Sequence, residues 1–210
     1  MKILLDAGHG GTDSGAIGKT IIEKDYNLEI IKLIKNELNN YECNVILSRE
    51  RDKHVTLSER TTLSNVNECD LFISIHCNSF KDDTVNGFES YGYKINDFQR
   101  YIHKLIIEKI KIKDRGVKEK DFFVLRNTNC KAVLLELGFI SNSIDSEILN
   151  NNKYLIANTI AQAIVDFYKL KEVRKELYTV QVGAFKNKDN AIKLKNKLID
   201  LGLQGFITVK

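Results

Sequence analysis

The chain has 210 residues, 43% of them hydrophobic and 29% charged, with a formal net charge of +4. That length supports one full domain with its own core, alone or with a small appendage. The apolar content excludes a disordered chain, and no stretch approaches the ~18–20 apolar residues of a membrane span.

Lys2 to Asp6 is a short apolar run closed by Gly8, the pattern of a buried strand. Only three apolar residues stand between Lys2 and Asp6, too few for the core of a secretory signal. The expectation is a chain made in the cytoplasm that acts on its target after release. A Gly-rich loop runs from Gly8 to Gly18. Thr20 opens a T-x-x-E capping-box pattern, and Tyr26, Leu28, Ile30, Ile31, Leu33, Ile34 and Leu38 then recur at helical spacing. Val45–Leu47 reads as a strand, Leu57–Val66 as a helix, Asp70–His76 as a dense β-branched strand and Gly87–Tyr93 as a further strand. Phe98–Ile112 reads as a helix, Phe122–Leu125 and Ala132–Leu137 as strands, and Tyr154–Tyr168 as a helix. Strands alternating with helices predict an α/β fold, a twisted, mostly parallel sheet with helices on both faces.

Lys169 begins a charged stretch that reads as a linker, residues 169–177. Residues 178–210 then repeat the pattern strand, helix, strand as one small βαβ unit, its helix carrying a stripe of Ala191, Leu194, Leu198 and Leu201. Residues 169–210 hold ten of the 32 Lys/Arg but four of the 28 Asp/Glu, so a nearly neutral body carries a basic tail. Such a tail suits an anionic partner or is simply a solvated helix face. No nucleic-acid recognition motif accompanies it. The four cysteines, Cys43, Cys69, Cys77 and Cys130, form no CxxC pair and read as free thiols.

In an open α/β sheet, chemistry gathers at the carboxyl ends of strands. His9 follows the first strand, His76 ends the third, and Glu136 lies near the end of the last, with Glu23 at the start of the first helix. Two imidazoles and a carboxylate are a known zinc ligand set, and a further carboxylate can move protons during amide hydrolysis. Each residue also has a plainer reading. His9 could be a turn residue, Glu23 a cap and His76 a buried imidazole. Glu136 has the least room for one, because a carboxylate inside AVLLELGF is costly without a partner or a task. His54 and His103 receive no role.

Several segments in order, DAGHGGTDSGAIG (6–18), Glu23-Lys24 with Asn27-Leu28, SRERD (48–52), LSER (57–60), SIHCNS (74–79), GFESYGY (87–93), RGVK (115–118), FFVLRNT (122–128) and VLLELGFISN (133–142), resemble the zinc-dependent N-acetylmuramoyl-L-alanine amidases over residues 1–168. The resemblance implies a zinc amidase catalytic domain there, with Zn2+ held by His9, Glu23 and His76 and with Glu136 as the catalytic carboxylate. It implies peptidoglycan as substrate, cleaved between N-acetylmuramic acid and L-alanine by zinc-activated water, in cell-wall lysis as an endolysin or autolysin. Ala7, Ser14 and Cys130-Lys131 depart from the family pattern, which often carries Pro or Met-Pro there, and no long helical insertion interrupts the cleft. A zinc peptidase acting on the stem peptide, or a non-catalytic wall-binding protein, are the alternatives.

Tyr178 to Gly202 resembles half of a SPOR module, which binds peptidoglycan glycan strands. One helix on two strands buries little apolar surface, so a homodimer through paired βαβ tails is a further expectation. No nucleic-acid partner and no membrane insertion are expected.

Overall fold

The computed structural model describes residues 1–173, 181–201 and 207. It divides into two units, Met1–Val173 and Arg174–Lys210. In the first, six strands form one sheet: β1 (Lys2–Ala7), β2 (Asn44–Leu47), β3 (Leu71–Asn78), β4 (Phe88–Gly92), β5 (Asp114–Glu119) and β6 (Lys131–Phe139), in the order β2-β1-β3-β6-β4-β5. The pairings are parallel except β4–β6, which is antiparallel. This is the mostly parallel α/β sheet that the sequence predicts.

Helices cover both faces. Alternate residues of the central strands, among them Leu5, Ile73, Ile75 and Leu135, join the larger core with α1 (Glu23–Leu38), α3 (Asp97–Ile110) and α6 (Lys153–Tyr168). The opposite set, Leu4, Phe72 and Leu134, packs into a smaller core with Val124 and Leu125 of the short helix α4 (Phe123–Arg126). Helix α2 (Leu57–Val66) lies on this side and touches α4. Toward the carboxyl ends of the strands, the residues of this smaller face turn polar. Leu4 is followed two residues on by Asp6, Phe72 by Ser74 and His76, and Leu134 by Glu136. A period of two keeps each set on one face, so the apolar floor and the polar row share a surface.

Three elements differ from the sequence expectations. Phe122–Leu125 is not a strand: Phe123–Arg126 forms helix α4. A four-residue apolar run carries no period that separates the two states. The neighbouring strand is instead Asp114–Glu119, an edge whose sequence, DRGVKE, lacks the apolar density of a buried strand. Helix α5 (Ser143–Asn151) is additional, started by the Asn142 side chain, which accepts from the N–H groups of Ile144 and Asp145 at 3.0 Å. Helix α1 also lacks the expected capping box. Its N-cap is Ile22, with no side-chain cap. A capping box does form at α2, where Thr56 and Glu59 exchange side-chain and backbone hydrogen bonds.

After α6 the chain folds back on the body, with the Val173 N–H on the Asn40 carbonyl at 2.8 Å. All four cysteines are free. In the second unit, helix α7 (Lys188–Asp200) starts at Asn187, whose side chain accepts from the Asp189 N–H at 2.7 Å. Apart from Ile207, the strand expected over 205–209 lies outside the described residues, as does the start of the one at 178–185, and Gln181–Phe185 form no strand. Nothing among the described residues supports a homodimer through this tail.

Candidate metal centre

The polar row is assembled by strand register. Asp6 pairs with Ser74, Ser74 with Leu134, His76 with Glu136, and Glu136 with Glu89 of β4. His9 enters from the loop after β1 in a left-handed conformation, φ 62°. Glu23 enters from the first turn of α1. Its Oε1 lies 3.1 Å from His9 Nε2 and 3.0 Å from His76 Nδ1, and it also accepts from the Cys77 N–H at 3.1 Å. Oε2 accepts from the Ala16 N–H at 2.8 Å. The two imidazole rings meet edge to face, with centroids 5.0 Å apart.

The loop that carries His9 is packed too tightly for side chains. A Cβ on Gly8 would stand 2.2 Å from His76 Cε1. One on Gly15 would stand 2.5 Å from Glu23 Oε2, at a residue whose φ is +62°. Two buried arginines hold the loop from behind. Arg49 donates to the carbonyls of Ala7, Gly8 and Lys24 at 3.1, 3.1 and 2.6 Å. Arg60 pairs with buried Asp6 at 2.5 Å and donates to the His9 carbonyl at 2.8 Å. Both lie in segments quoted above for resemblance, SRERD and LSER, with no role attached.

The donor set fits a divalent ion of borderline softness. One ligand atom from each of His9, Glu23 and His76 lies within 4.8 Å of the others. Asp13 Oδ2 sits 2.9 Å from His9 Nδ1, so that ring nitrogen is engaged and Nε2 faces Glu23. A carboxylate behind a histidine in this way fixes ring and tautomer in metal sites. Burial alone would lower the His9 pKa, but the hydrogen bonds and charges of Glu23 and Asp13 outweigh it and raise it to about 9. Burial would raise Glu23, yet hydrogen bonds from His76 and His9 hold it well below the usual carboxylate range. One carboxylate thus answers two rings.

Glu136 differs. Its Oε2 is buried with no hydrogen-bond partner. Burial raises its pKa to about 7, against the nearby His76 and with help from Glu23 and Glu89. It borders a cleft of about 510 Å³, whose other walls include His9, His76, Leu57, Phe122, Phe123 and Leu134. The structure therefore brings together all four residues singled out by sequence. His54 lines the same cleft. His103 is buried elsewhere, between Ser90 and Asp114, each at 2.8 Å.

Sequence reasoning missed Asp13, Arg49, Arg60 and Glu89. Asp13 had a signal in its four-residue spacing from His9 within a Gly-rich loop. Glu89 had one as a carboxylate inside an alternating strand.

Known proteins bear on the whole chain. A family described as N-acetylmuramoyl-L-alanine amidase matches residues 3–166, and the SPOR domain matches residues 175–210. The sporulation-specific N-acetylmuramoyl-L-alanine amidase of Bacillus subtilis (strain 168) is 36% identical over 220 aligned residues, covering 100% of this chain and 85% of the relative. The endolysin of Bacillus phage SPP1 is 39% identical over 183, covering 81% of this chain and 67% of its own length. The catalytic domain of CwlV, an N-acetylmuramoyl-L-alanine amidase from Bacillus (Paenibacillus) polymyxa var. colistinus, superposes with a TM-score of 0.77 at 31% identity, covering 81% of this chain and 99% of that one. Among the described residues, no helix is long and apolar enough to cross a membrane. The family match over most of the chain and the relative aligned along its whole length show that the chain belongs to the N-acetylmuramoyl-L-alanine amidase family.

Proposed function

We propose that this chain is a zinc-dependent peptidoglycan hydrolase that cleaves the amide between N-acetylmuramic acid and L-alanine. The observation that carries the reading is the meeting of His9 Nε2 and His76 Nδ1 on Glu23, beside the unpartnered Oε2 of Glu136. His9, Glu23 and His76 would hold the ion. Bound there, zinc would lower the pKa of a bound water to roughly 7 and polarise the scissile carbonyl.

The chain's own residues do the rest. Asp13 keeps His9 Nδ1 occupied and aims Nε2. Arg49 and Arg60 fix the backbone that carries His9. Glu136, poised near neutrality by burial, takes the proton of the attacking water as general base. It then delivers that proton to the departing alanine nitrogen as general acid. The apolar walls around it, including Phe122, Phe123 and Leu134, keep bulk water from competing for that proton.

Residues 1–168 serve as the catalytic domain, 169–177 as linker and 178–210 as a partial SPOR-like wall-binding module. Mass spectrometry of fragments released from defined peptidoglycan is the direct test, run on protein stripped of metal and then resupplied with zinc. New N-terminal alanine that depends on zinc is the expected product. Other new termini would make the chain a stem-peptide peptidase, and no release at all would leave a binding protein.

A further inference from the structure

We propose that strand β5 carries the recognition site for the leaving peptide, with Lys118 and Arg115 binding the carboxylate of the second stem residue. The inference rests on the reading above in one respect, that Glu136 protonates the alanine nitrogen. On that reading the open direction for the peptide is the side of Glu136 that faces away from the metal ligands. In register, that direction runs from His76 to Glu136, then to Glu89 on β4, then to β5.

Charge along this path is unbalanced. Glu89 is buried, and it accepts from the Tyr91 hydroxyl and the Arg115 Nε–H, with Lys118 Nζ at 2.9 Å. One carboxylate thus faces two cations, and a positive charge is left over. Arg115 and Lys118 side chains are 30% and 37% exposed, while Glu89 is 4% exposed. The surplus therefore meets solvent while its anchor does not. The other carboxylates of β5 are engaged elsewhere, Asp114 with His103 and Glu119 with Lys94. A cation fixed by a buried carboxylate loses little freedom on meeting a second anion, which favours a specific contact over a solvated lysine.

Distance also fits. About two residues of extended chain, roughly 7 Å, separate the scissile nitrogen from a carboxylate on the second residue. Neighbouring strands lie ~4.8 Å apart, so Glu89, on which the Arg115 and Lys118 side chains converge, stands about one strand spacing from Glu136. The cleft that Glu136 borders has apolar walls in Leu57, Phe123 and Leu134, surfaces suited to the lactyl and acetyl methyl groups of the muramoyl half.

The test uses the full chain, loaded with zinc, on glycan oligomers whose second stem residue is either D-isoglutamate or D-isoglutamine. The readout is the ratio of kcat/KM for the two. The native protein should prefer the carboxylate by about tenfold, the value of one charge-assisted contact at a partly exposed site. Lys118→Gln should bring the ratio near one, and Lys118→Arg should restore it. A purely structural role for Lys118 would slow both substrates alike and leave the ratio unchanged, which overturns the proposal. A native ratio of one overturns it too, while leaving the amidase reading intact. Failure of the native protein on both substrates removes the amidase reading and this inference together.

Discussion

Glu136 and Glu89 face one another in register across the antiparallel β4–β6 pairing, yet they carry opposite assignments. Burial opposes ionisation at both. At Glu89, hydrogen bonds from Tyr91, Lys118 and Arg115 overcome it and hold the carboxyl below its ordinary range. Glu136 has no such donors, and its pKa rises to about 7. Two acids pushed apart by their surroundings are the usual mark of divided labour in a site. In the proposed mechanism Glu89 is the fixed anion and Glu136 the proton carrier.

Replacing Glu136 with Gln preserves shape and removes the titrating group. Hydrolysis should fall by about 10³-fold or more, the upper range for loss of a general acid–base. Zinc content, measured on the same sample by elemental analysis, should stay at the native stoichiometry. A variant that loses metal along with activity would move Glu136 into the ligand set.

The same substitution should change stability in a pH-dependent way once the metal is removed. The folded protein holds the Glu136 proton to about pH 7, the unfolded chain only to about its ordinary 4.5. Stability from this group is therefore complete below pH 4.5 and is lost as pH rises through 7, a cost of roughly 3 kcal/mol above that point. Gln pays no such cost. In urea unfolding of chelator-treated protein, Glu136→Gln should be the more stable form at pH 8, with the gap closing toward pH 4.5. Parallel curves for the two proteins would contradict the assignment.

Much of this arrangement can be read without coordinates, and the exceptions share a cause. Apolar runs and helical periods locate the central strands, and Leu57–Val66 matches the observed helix end to end. Glu136 stands out because an acid within VLLELGF has no local reason to be there. Glu23 misleads, because T-x-x-E is a complete local motif, while its side chain actually answers His9 and His76. Residues whose partners are distant in sequence leave little trace. Arg49 reaches Gly8 and Arg60 reaches Asp6 across tens of positions. Strand β5 escapes notice because an edge beside an ion-paired carboxylate needs no apolar pattern.

Asp13 touches His9 from outside the ligand cluster, at 2.9 Å from Nδ1. Asp13→Asn keeps the size and removes the charge that orients the ring. Zinc affinity should drop by about 10–100-fold, the range for second partners of metal-bound histidines, in competition with a chromophoric chelator. Activity at saturating zinc should largely return. An unchanged affinity would mean that the loop backbone alone orients His9.

Asp6 and Arg60 allow stability and metal binding to be separated. They are 1% and 3% exposed, paired at 2.5 Å, with the Ser74 hydroxyl donating to the second Asp6 oxygen at 2.7 Å. Arg60→Met leaves Asp6 buried and unpaired, which should cost about 3–5 kcal/mol in urea unfolding. Adding Asp6→Asn removes the orphaned charge, so the double variant should be more stable than Arg60→Met alone. The His9 carbonyl has still lost its donor, Arg60 Nη2 at 2.8 Å. Zinc affinity should therefore stay low in the double variant even as stability recovers. If affinity recovers in step with stability, Arg60 acts on the site only through the fold, and its contact with the His9 carbonyl has no separate role.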